Sequence, residues 1–207
     1  MISFKKFKHK KVIVFDLDGT IVDLAVDWRF IKRILSQRYS KIYGEECEFK
    51  HISACLDYVV EKKDERELIF FFKVLEEYEM KNINDNNEIE QTIFFINNLN
   101  LFDVSRDTKL AIFSLNTRKA IIKSLKLAKI YDRFDYIIGR EDLRKWKPNP
   151  DGLIKIKEYF GVANKDMIYF GDLQKDLQTG KNAGIDSYLI SELIEIVNKK
   201  REDMNLT

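Results

Sequence analysis

Short apolar runs recur along the chain, and each ends at a polar residue or a glycine. The runs cover residues 12–15, 110–113, 136–138, 167–170 and 188–190. Three or four consecutive apolar residues are typical of a strand that is buried on both faces, as in a parallel sheet. The pattern therefore predicts five strands of one parallel sheet.

Helix signals fill the intervals between these runs. The segment 120–128 places its apolar residues on one helical face. Asn149 and Pro150 suit an N-cap followed by a proline in the first turn, and Gly184 suits the end of a helix over residues 176–183. Strands that alternate with helices predict an α/β fold with a doubly wound sheet. Ligands of such sheets bind at the edge where the carboxyl ends of the strands meet.

Residues 23–83 interrupt this alternation. They carry three stripes of apolar residues at helical spacing, within 28–42, 52–60 and 68–78, and little strand signal. A structureless loop of this length is uncommon in a compact domain. We therefore predict a helical domain over residues 23–83, inserted into a core formed by residues 1–22 and 84–207.

Composition and charge narrow the class of protein. Of the 207 residues 45% are hydrophobic and 34% are charged, and the net charge is +2, so a packed core is feasible and no nucleic-acid or membrane partner is indicated. No apolar stretch approaches the roughly 20 residues that span a bilayer, and Asp16 ends the first run too early for a signal peptide. Cys47 and Cys55 match neither a redox pair nor a zinc knuckle, so we expect reduced thiols in a cytoplasmic protein.

Acidic clusters follow directly after the first and fourth predicted strands. The first reads DLDGT over residues 16–20, and the second reads GDLQKD over residues 171–176. Phosphoryl transfer needs a nucleophile and a proton shuttle, and Asp16 and Asp18 can supply them. Asp16 can attack phosphorus, while Asp18 can protonate the leaving oxygen. An Asp/Gly turn that only ends a strand is the alternative interpretation of this first motif.

The second cluster predicts a metal site. Carboxylates of Asp172 and Asp176 would repel Asp16 and Asp18 unless a cation lies among them, and Mg²⁺ suits oxygen ligands beside a phosphate. We expect Asp172 to be a direct ligand and Asp176 to act through water or a neighbouring ligand. Acidic residues that favour the start of a helix are the alternative interpretation.

A hydroxyl and a lysine complete the candidate site. Ser114 ends the second strand just before a helix expected to start near Asn116 or Thr117, and its hydroxyl with free backbone N–H groups could bind an anion. Lys147 can neutralise a transferring phosphoryl group. Its proline-flanked loop favours it over the neighbouring residues 144 and 145. An ordinary serine before a helix and a solvated lysine are the alternatives.

The ordered set of these motifs resembles the haloacid dehalogenase-like superfamily of phosphohydrolases. Members carry DxDGT, then Ser or Thr after the second strand, then a lysine often before proline, then GDxxxD. Here these are residues 16–20, Ser114, Lys147 and residues 171–176. The resemblance implies a Rossmann-like core with strand order 3-2-1-4-5. The helical insert resembles the cap of the phosphoglycolate phosphatase and β-phosphoglucomutase-like branch.

The resemblance also implies site roles. Mg²⁺ would be bound by the carboxylate of Asp16, by Asp172 and by the backbone carbonyl of Asp18, with Asp176 nearby. Ser114, Asn116 and Lys147 are then expected to contact the phosphate. The resemblance covers the core, residues 1–22 and 84–207, whereas nothing in the cap matches one substrate.

Three classes of function remain open at this point. The leading hypothesis is a Mg²⁺-dependent phosphatase that acts on a small phosphorylated metabolite through an aspartyl phosphate, with the cap excluding water. A phosphomutase is an alternative within this enzyme class and would use the same nucleophile. The second class is a non-catalytic relative that keeps only the fold. Nucleic-acid binding through the lysines within residues 5–11 is a third class, although a solvated amino-terminal extension explains them more simply. The substrate and the oligomeric state stay open.

Overall fold

The computed structural model describes residues 6–47 and 51–204, which form seven strands and eight α-helices. The strands are β1 (Val12–Phe15), β2 (Val22–Asp23), β3 (Asn87–Glu88), β4 (Lys109–Phe113), β5 (Tyr136–Ile138), β6 (Met167–Gly171) and β7 (Asp186–Leu189). The helices are α1 (Trp28–Tyr43), α2 (Ile52–Glu61), α3 (Glu65–Lys81), α4 (Glu90–Asn97), α5 (Arg118–Leu127), α6 (Asp151–Phe160), α7 (Gln174–Ala183) and α8 (Ile190–Asp203).

The central sheet has five parallel strands in the order β5-β4-β1-β6-β7. Numbered along the core alone, this is the predicted order 3-2-1-4-5. The α/β fold with a parallel sheet is therefore confirmed. The last strand was predicted over residues 188–190, but β7 begins two residues earlier and ends one residue earlier, since Ile190 begins α8. Its apolar run spans the junction of a strand and a helix, which a count of apolar residues does not separate.

Both faces of β1 are buried, which explains its unbroken apolar sequence. Ile13 and Phe15 belong to one apolar cluster, which includes residues of α4, α5 and α8. Val12 and Val14 belong to the other, which includes residues of α6 and of α1–α3. Burial on both faces fixes β1 at the centre of the sheet.

The three helices predicted within residues 23–83 are present as α1, α2 and α3. They pack on one another, and their apolar stripes join the cluster that covers one face of the sheet. Asp27 and Asp64 cap the starts of α1 and α3 by accepting hydrogen bonds from Phe30 N and Glu67 N. The chain enters and leaves this helical insert through the antiparallel pair β2 and β3. The division into two domains at these boundaries stays a prediction.

The expectation of a solvated amino-terminal extension was wrong for Lys10, whereas Lys6, Lys8 and Lys11 are exposed. Lys10 is buried and its ammonium lies 2.9 Å from Asp186, while Lys11 lies 3.0 Å from Asp166. Asp166 directly precedes β6 and Asp186 begins β7, so the two ion pairs attach this segment to the sheet. Lys5, with the rest of residues 1–5, 48–50 and 205–207, lies outside the described residues.

Two further expectations concern cysteines and membranes. Cys47 and Cys55 are both buried free thiols. Across residues 6–47 and 51–204, none of the helices combines the length and the apolar character that crossing a bilayer requires.

Candidate active site

The candidate site lies at the carboxyl ends of β1, β4 and β6, which are neighbours in the sheet. Asp16 follows β1, Ser114 follows β4 and Asp172 follows β6. All three line one cavity of about 250 Å³, together with Asp18 and Asn116. This volume is below the roughly 300–1,000 Å³ common for ligand pockets. The cavity therefore suits a small molecule.

Gly19 shapes the loop that carries the first two aspartates. Its φ is +71°, a left-handed conformation that glycine adopts without steric cost. A Cβ atom at this position would also lie 2.6 Å from Oδ2 of Asp172. Two features therefore favour glycine at residue 19: the left-handed backbone turn and the close approach of Asp172.

Lys147 lies between two carboxylates and is fully buried. Its ammonium is 2.8 Å from Oδ2 of Asp16 and 2.9 Å from Oδ1 of Asp176. Burial lowers the pKa of Lys147, but the charges of Asp16 and Asp176 outweigh burial and the pKa is raised. The lysine is therefore a fixed positive charge beside Asp16.

Asp16, Asp172 and Asp176 form what we call the acidic cluster. Each offers one carboxylate oxygen, and these oxygens all lie within 4.8 Å of one another. Burial, followed by repulsion from Asp16 and Asp176, raises the pKa of Asp172 to about 7. Clustered carboxylates whose charges repel fit a hard divalent cation such as Mg²⁺.

Asp176 is engaged mainly by the protein. Oδ1 accepts a hydrogen bond from the Tyr169 hydroxyl at 2.8 Å and faces Lys147, and Oδ2 accepts one from Leu173 N at 3.0 Å. Burial raises the pKa of Asp176, but Lys147 outweighs it and the pKa is lowered. These contacts favour a role for Asp176 in orienting Lys147 over direct binding of a metal.

The carboxylate of Asp18 faces the helical insert. It accepts hydrogen bonds from Leu24 N at 2.9 Å and from Trp28 Nε1 at 3.0 Å, and Trp28 is the first residue of α1. Burial raises the pKa of Asp18 to about 6, and the charge of Asp16 adds to this effect. A carboxyl group with such a pKa can hold and release a proton near neutral pH.

The start of α5 differs from the expected anion seat. Ser114 Oγ donates to Asn116 Oδ1 at 2.7 Å, and Thr117 N donates to Glu79 at 2.9 Å. The N–H of Arg118, where α5 begins, donates to the carboxylate of Glu141. The N–H groups of residues 117 and 118 are therefore not free to bind an anion, because two carboxylates of the protein already accept from them.

Glu79 and Arg140 were missed by the sequence interpretation. Both are buried, and Arg140 Nη2 donates to Glu79 Oε1 at 2.6 Å. Glu79 also accepts from Asn116 Nδ2 and Thr117 Oγ1, and we call this group of four residues the α3 contact. A signal was present, since Glu79 follows Phe71 and Leu75 at helical spacing and so falls on the buried stripe of α3.

Comparisons with known proteins identify the family of this chain. Residues 13–190 match the family model of haloacid dehalogenase-like hydrolases. The chain is 28% identical over 185 residues to a phosphoglycolate phosphatase of Aquifex aeolicus, an alignment that covers 86% of this chain and 84% of the relative. It is 35% identical over 86 residues to the pyrophosphatase PpaX of Halalkalibacterium halodurans, covering 42% of this chain and 40% of that protein.

A solved structure shares the fold. The crystal structure of a Bacteroides fragilis protein described as a haloacid dehalogenase-like hydrolase superposes with a TM-score of 0.62. The superposition covers 86% of each chain at 21% identity. At this identity the likeness shows the fold alone.

Proposed function

This chain belongs to the haloacid dehalogenase-like hydrolase family, and we propose that it is a Mg²⁺-dependent phosphatase that hydrolyses a small phosphomonoester through an aspartyl phosphate. The observation that carries the proposal is the setting of Asp16. Its carboxylate lines the cavity, faces the buried Lys147 at 2.8 Å and accepts a hydrogen bond from Leu17 N at 2.7 Å. A carboxylate fixed beside a positive charge suits in-line attack on phosphorus.

The first step would transfer the phosphoryl group to Asp16. A carboxylate oxygen of Asp16 forms a bond to phosphorus while the bond from phosphorus to the ester oxygen breaks. Asp18 donates its proton to that leaving oxygen, so the alcohol departs neutral. The raised pKa of Asp18, about 6, supports this role as an acid.

The second step would regenerate the enzyme. Water attacks phosphorus, and the bond between phosphorus and Asp16 breaks to release inorganic phosphate. Asp18, now deprotonated, accepts the proton of the attacking water. The same carboxyl group thus acts as acid and then as base, as the reversal of roles between the two steps requires.

Asp16 and Asp172 would hold Mg²⁺, with the backbone carbonyl of Asp18 as a further ligand and Asp176 behind them. When bound, the ion neutralises charge on the phosphoryl oxygens. Lys147 contributes a second positive charge from the protein itself. Ser114, Asn116 and Lys147 would contact the phosphate, and the helical insert would act as a cap that excludes water from the cavity.

The relatives support the choice of a small phosphorylated substrate, since their names are phosphoglycolate phosphatase and pyrophosphatase. The small cavity agrees with this class. A phosphomutase stays the nearest enzymatic alternative. Its product would be a phosphorylated isomer rather than inorganic phosphate.

The test is hydrolysis of p-nitrophenyl phosphate with Mg²⁺, read as release of inorganic phosphate. Asp16→Asn should lower kcat below about one ten-thousandth of the wild-type value, because the nucleophile is lost. Asp18→Asn should also be severely impaired, because no group then accepts the proton of the water that attacks the aspartyl phosphate. Acid quench during turnover, followed by peptide mass spectrometry, should find a phosphoryl group on Asp16.

Asp132→Asn is the matched control, because this carboxylate is exposed on the short 3-10 helix before β5. It should keep the wild-type rate. Near-normal turnover by Asp16→Asn would rule out Asp16 as the nucleophile. Transfer of phosphate within a sugar phosphate, without release of inorganic phosphate, would favour the phosphomutase.

A further inference from the structure

Arg140 has unused hydrogen-bonding capacity beside the cavity. Its side chain is only 1% exposed, yet Nε and Nη1 have no hydrogen-bond partner among residues 6–47 and 51–204. Arg140 also lines the cavity that contains Asp16. Buried polar groups in native proteins nearly always have partners, so unpaired guanidinium nitrogens at a cavity point to a ligand.

The rest of Arg140 is held firmly. Nη2 donates to Glu79, the backbone N donates to Asn116 O at 3.0 Å, and the backbone carbonyl accepts from Trp146 Nε1 at 3.1 Å. Glu79 is itself held by Asn116 and Thr117. The guanidinium is therefore oriented before any ligand arrives, which lowers the entropic cost of binding.

We propose that Arg140 is a specificity-determining residue that binds a second anionic group of the substrate, a carboxylate or a second phosphate, while Glu79 positions it. This inference rests on the proposed function. A guanidinium carries only donors and keeps its positive charge, so its natural partner is an anionic oxygen. The acidic cluster is not available to that second anion, because under the proposed function it receives the transferred phosphoryl group.

The two anionic groups would lie close together. Ser114 donates to Asn116, Asn116 donates to Glu79, and Arg140 donates to the same oxygen of Glu79. Arg140 is thus only two residues removed, through hydrogen bonds, from the serine at the strand end beside Asp16. In a cavity of about 250 Å³ this arrangement favours a short substrate with an anion at each end.

The experiment compares three substrates on the wild type and on Arg140→Met. The substrates are 2-phosphoglycolate, which carries a carboxylate, inorganic pyrophosphate, which carries a second phosphate, and p-nitrophenyl phosphate, which carries no anionic group besides the phosphoryl group. For the substrate whose anion Arg140 binds, kcat/KM should fall about 10- to 100-fold, mainly through KM. For p-nitrophenyl phosphate the loss should be at most about threefold. Of 2-phosphoglycolate and pyrophosphate, the substrate whose kcat/KM falls more identifies the anion that Arg140 binds.

Two further variants separate binding from folding. Glu79→Gln keeps Arg140 but weakens its positioning, so it should give a smaller loss of the same selective kind. Arg140→Met combined with Glu79→Gln removes both charges of the buried pair, which keeps the test valid if the single variant does not fold. Arg144→Met is the matched control, because Arg144 forms an exposed ion pair with Glu65 of α3 at 3.4 Å. It should leave all three rates unchanged.

The outcomes distinguish the inference from the proposed function. If wild-type protein with Mg²⁺ hydrolyses none of the three substrates, the proposed function fails. If the wild type is active but the Arg140 variants lose equal activity on all three, Arg140 is structural or acts on the transferred phosphoryl group, and the inference is overturned. A loss confined to kcat would overturn it as well.

Discussion

The acidic cluster and the α3 contact both contribute residues to the lining of the same cavity, and they differ in the sign of the charge that is left unpaired. In the acidic cluster three carboxylates share one ammonium, that of Lys147, so negative charge is in excess. In the α3 contact the single carboxylate of Glu79 meets four donor groups, and two nitrogens of Arg140 stay unpaired. The first group has excess negative charge that a cation would neutralise, and the second has unpaired donors that an anion would accept from.

This difference separates two tasks. Asp16 and Asp172 of the acidic cluster directly follow strands of a sheet that is buried on both faces, so their positions are fixed by the core. The α3 contact depends on a helix that reaches the core from the helical insert. We infer that chemistry belongs to the first region and selection of the substrate to the second, and each prediction below tests that separation.

The largest effect is expected when the positive charge of Lys147 beside the acidic cluster is removed. Lys147→Met should lower kcat about 100- to 1,000-fold, because positive charge near the phosphoryl group is lost. It should also lower the free energy of unfolding by about 3 kcal/mol, because Asp16 and Asp176 lose their buried partner. Phosphate release and urea denaturation measure the two effects.

Lys145→Met is the matched control, since this neighbour on the same loop is exposed. Its turnover and its stability should equal those of the wild type. If a Lys147 variant kept normal turnover with p-nitrophenyl phosphate, the lysine would have no role in phosphoryl transfer.

An intermediate effect is expected at Gly19. Gly19→Ala should lower kcat about 10-fold and raise the Mg²⁺ concentration for half-maximal activity, because the new Cβ would push against Asp172. Stability should fall by about 1–2 kcal/mol, because φ is positive. Turnover against Mg²⁺ concentration, together with thermal unfolding, measures both.

Gly161 provides a control with the same backbone strain and no steric conflict. Its φ is +63°, and a Cβ there would meet nothing within 4 Å. Gly161→Ala should therefore cost similar stability while kcat and the Mg²⁺ response stay normal. If both alanine variants lost activity equally, strain rather than the approach to Asp172 would be the cause.

The smallest effect concerns Mg²⁺ and pH. The pKa of Asp172 is raised to about 7 in the folded protein, so without metal its contribution to stability falls as pH rises from about 4 to 7. Mg²⁺ competes with that proton and binds the deprotonated carboxylate. The increase in Tm on adding 10 mM Mg²⁺ should thus be roughly 2–4 °C larger at pH 8 than at pH 5.5.

Asp172→Asn should remove this dependence, because an amide does not titrate in that range. Differential scanning fluorimetry at the two pH values gives the comparison directly. An equal Tm increase at both pH values in the wild type would mean that Mg²⁺ binding does not displace a proton from Asp172.

Much of the fold followed from local patterns. Four-residue apolar runs predicted the strands, because a strand covered on both faces has no polar side. The order of acidic, hydroxyl and lysine motifs pointed to one edge of the sheet, and the structure brings Asp16, Ser114, Lys147 and Asp172 to that edge. Such features are visible in the sequence because each is set within a few residues.

Partnerships between distant residues were not visible. Glu79 meets Arg140 across 61 positions, Trp28 donates to Asp18 from the helical insert, and Lys10 meets Asp186. Hydrophobic periodicity reports which residues are buried. It does not report which charge a buried charge will meet.

The sequence by itself determined the strands, the helices of the insert and the residue types at the strand ends, since these depend on local spacing and burial. Only the tertiary structure decided that carboxylates of the protein occupy the start of α5 and that Arg140, with two nitrogens unpaired, lines the cavity. The physical reason is that an ion pair is set by the packing of elements far apart in the chain, in this protein α3 against the core.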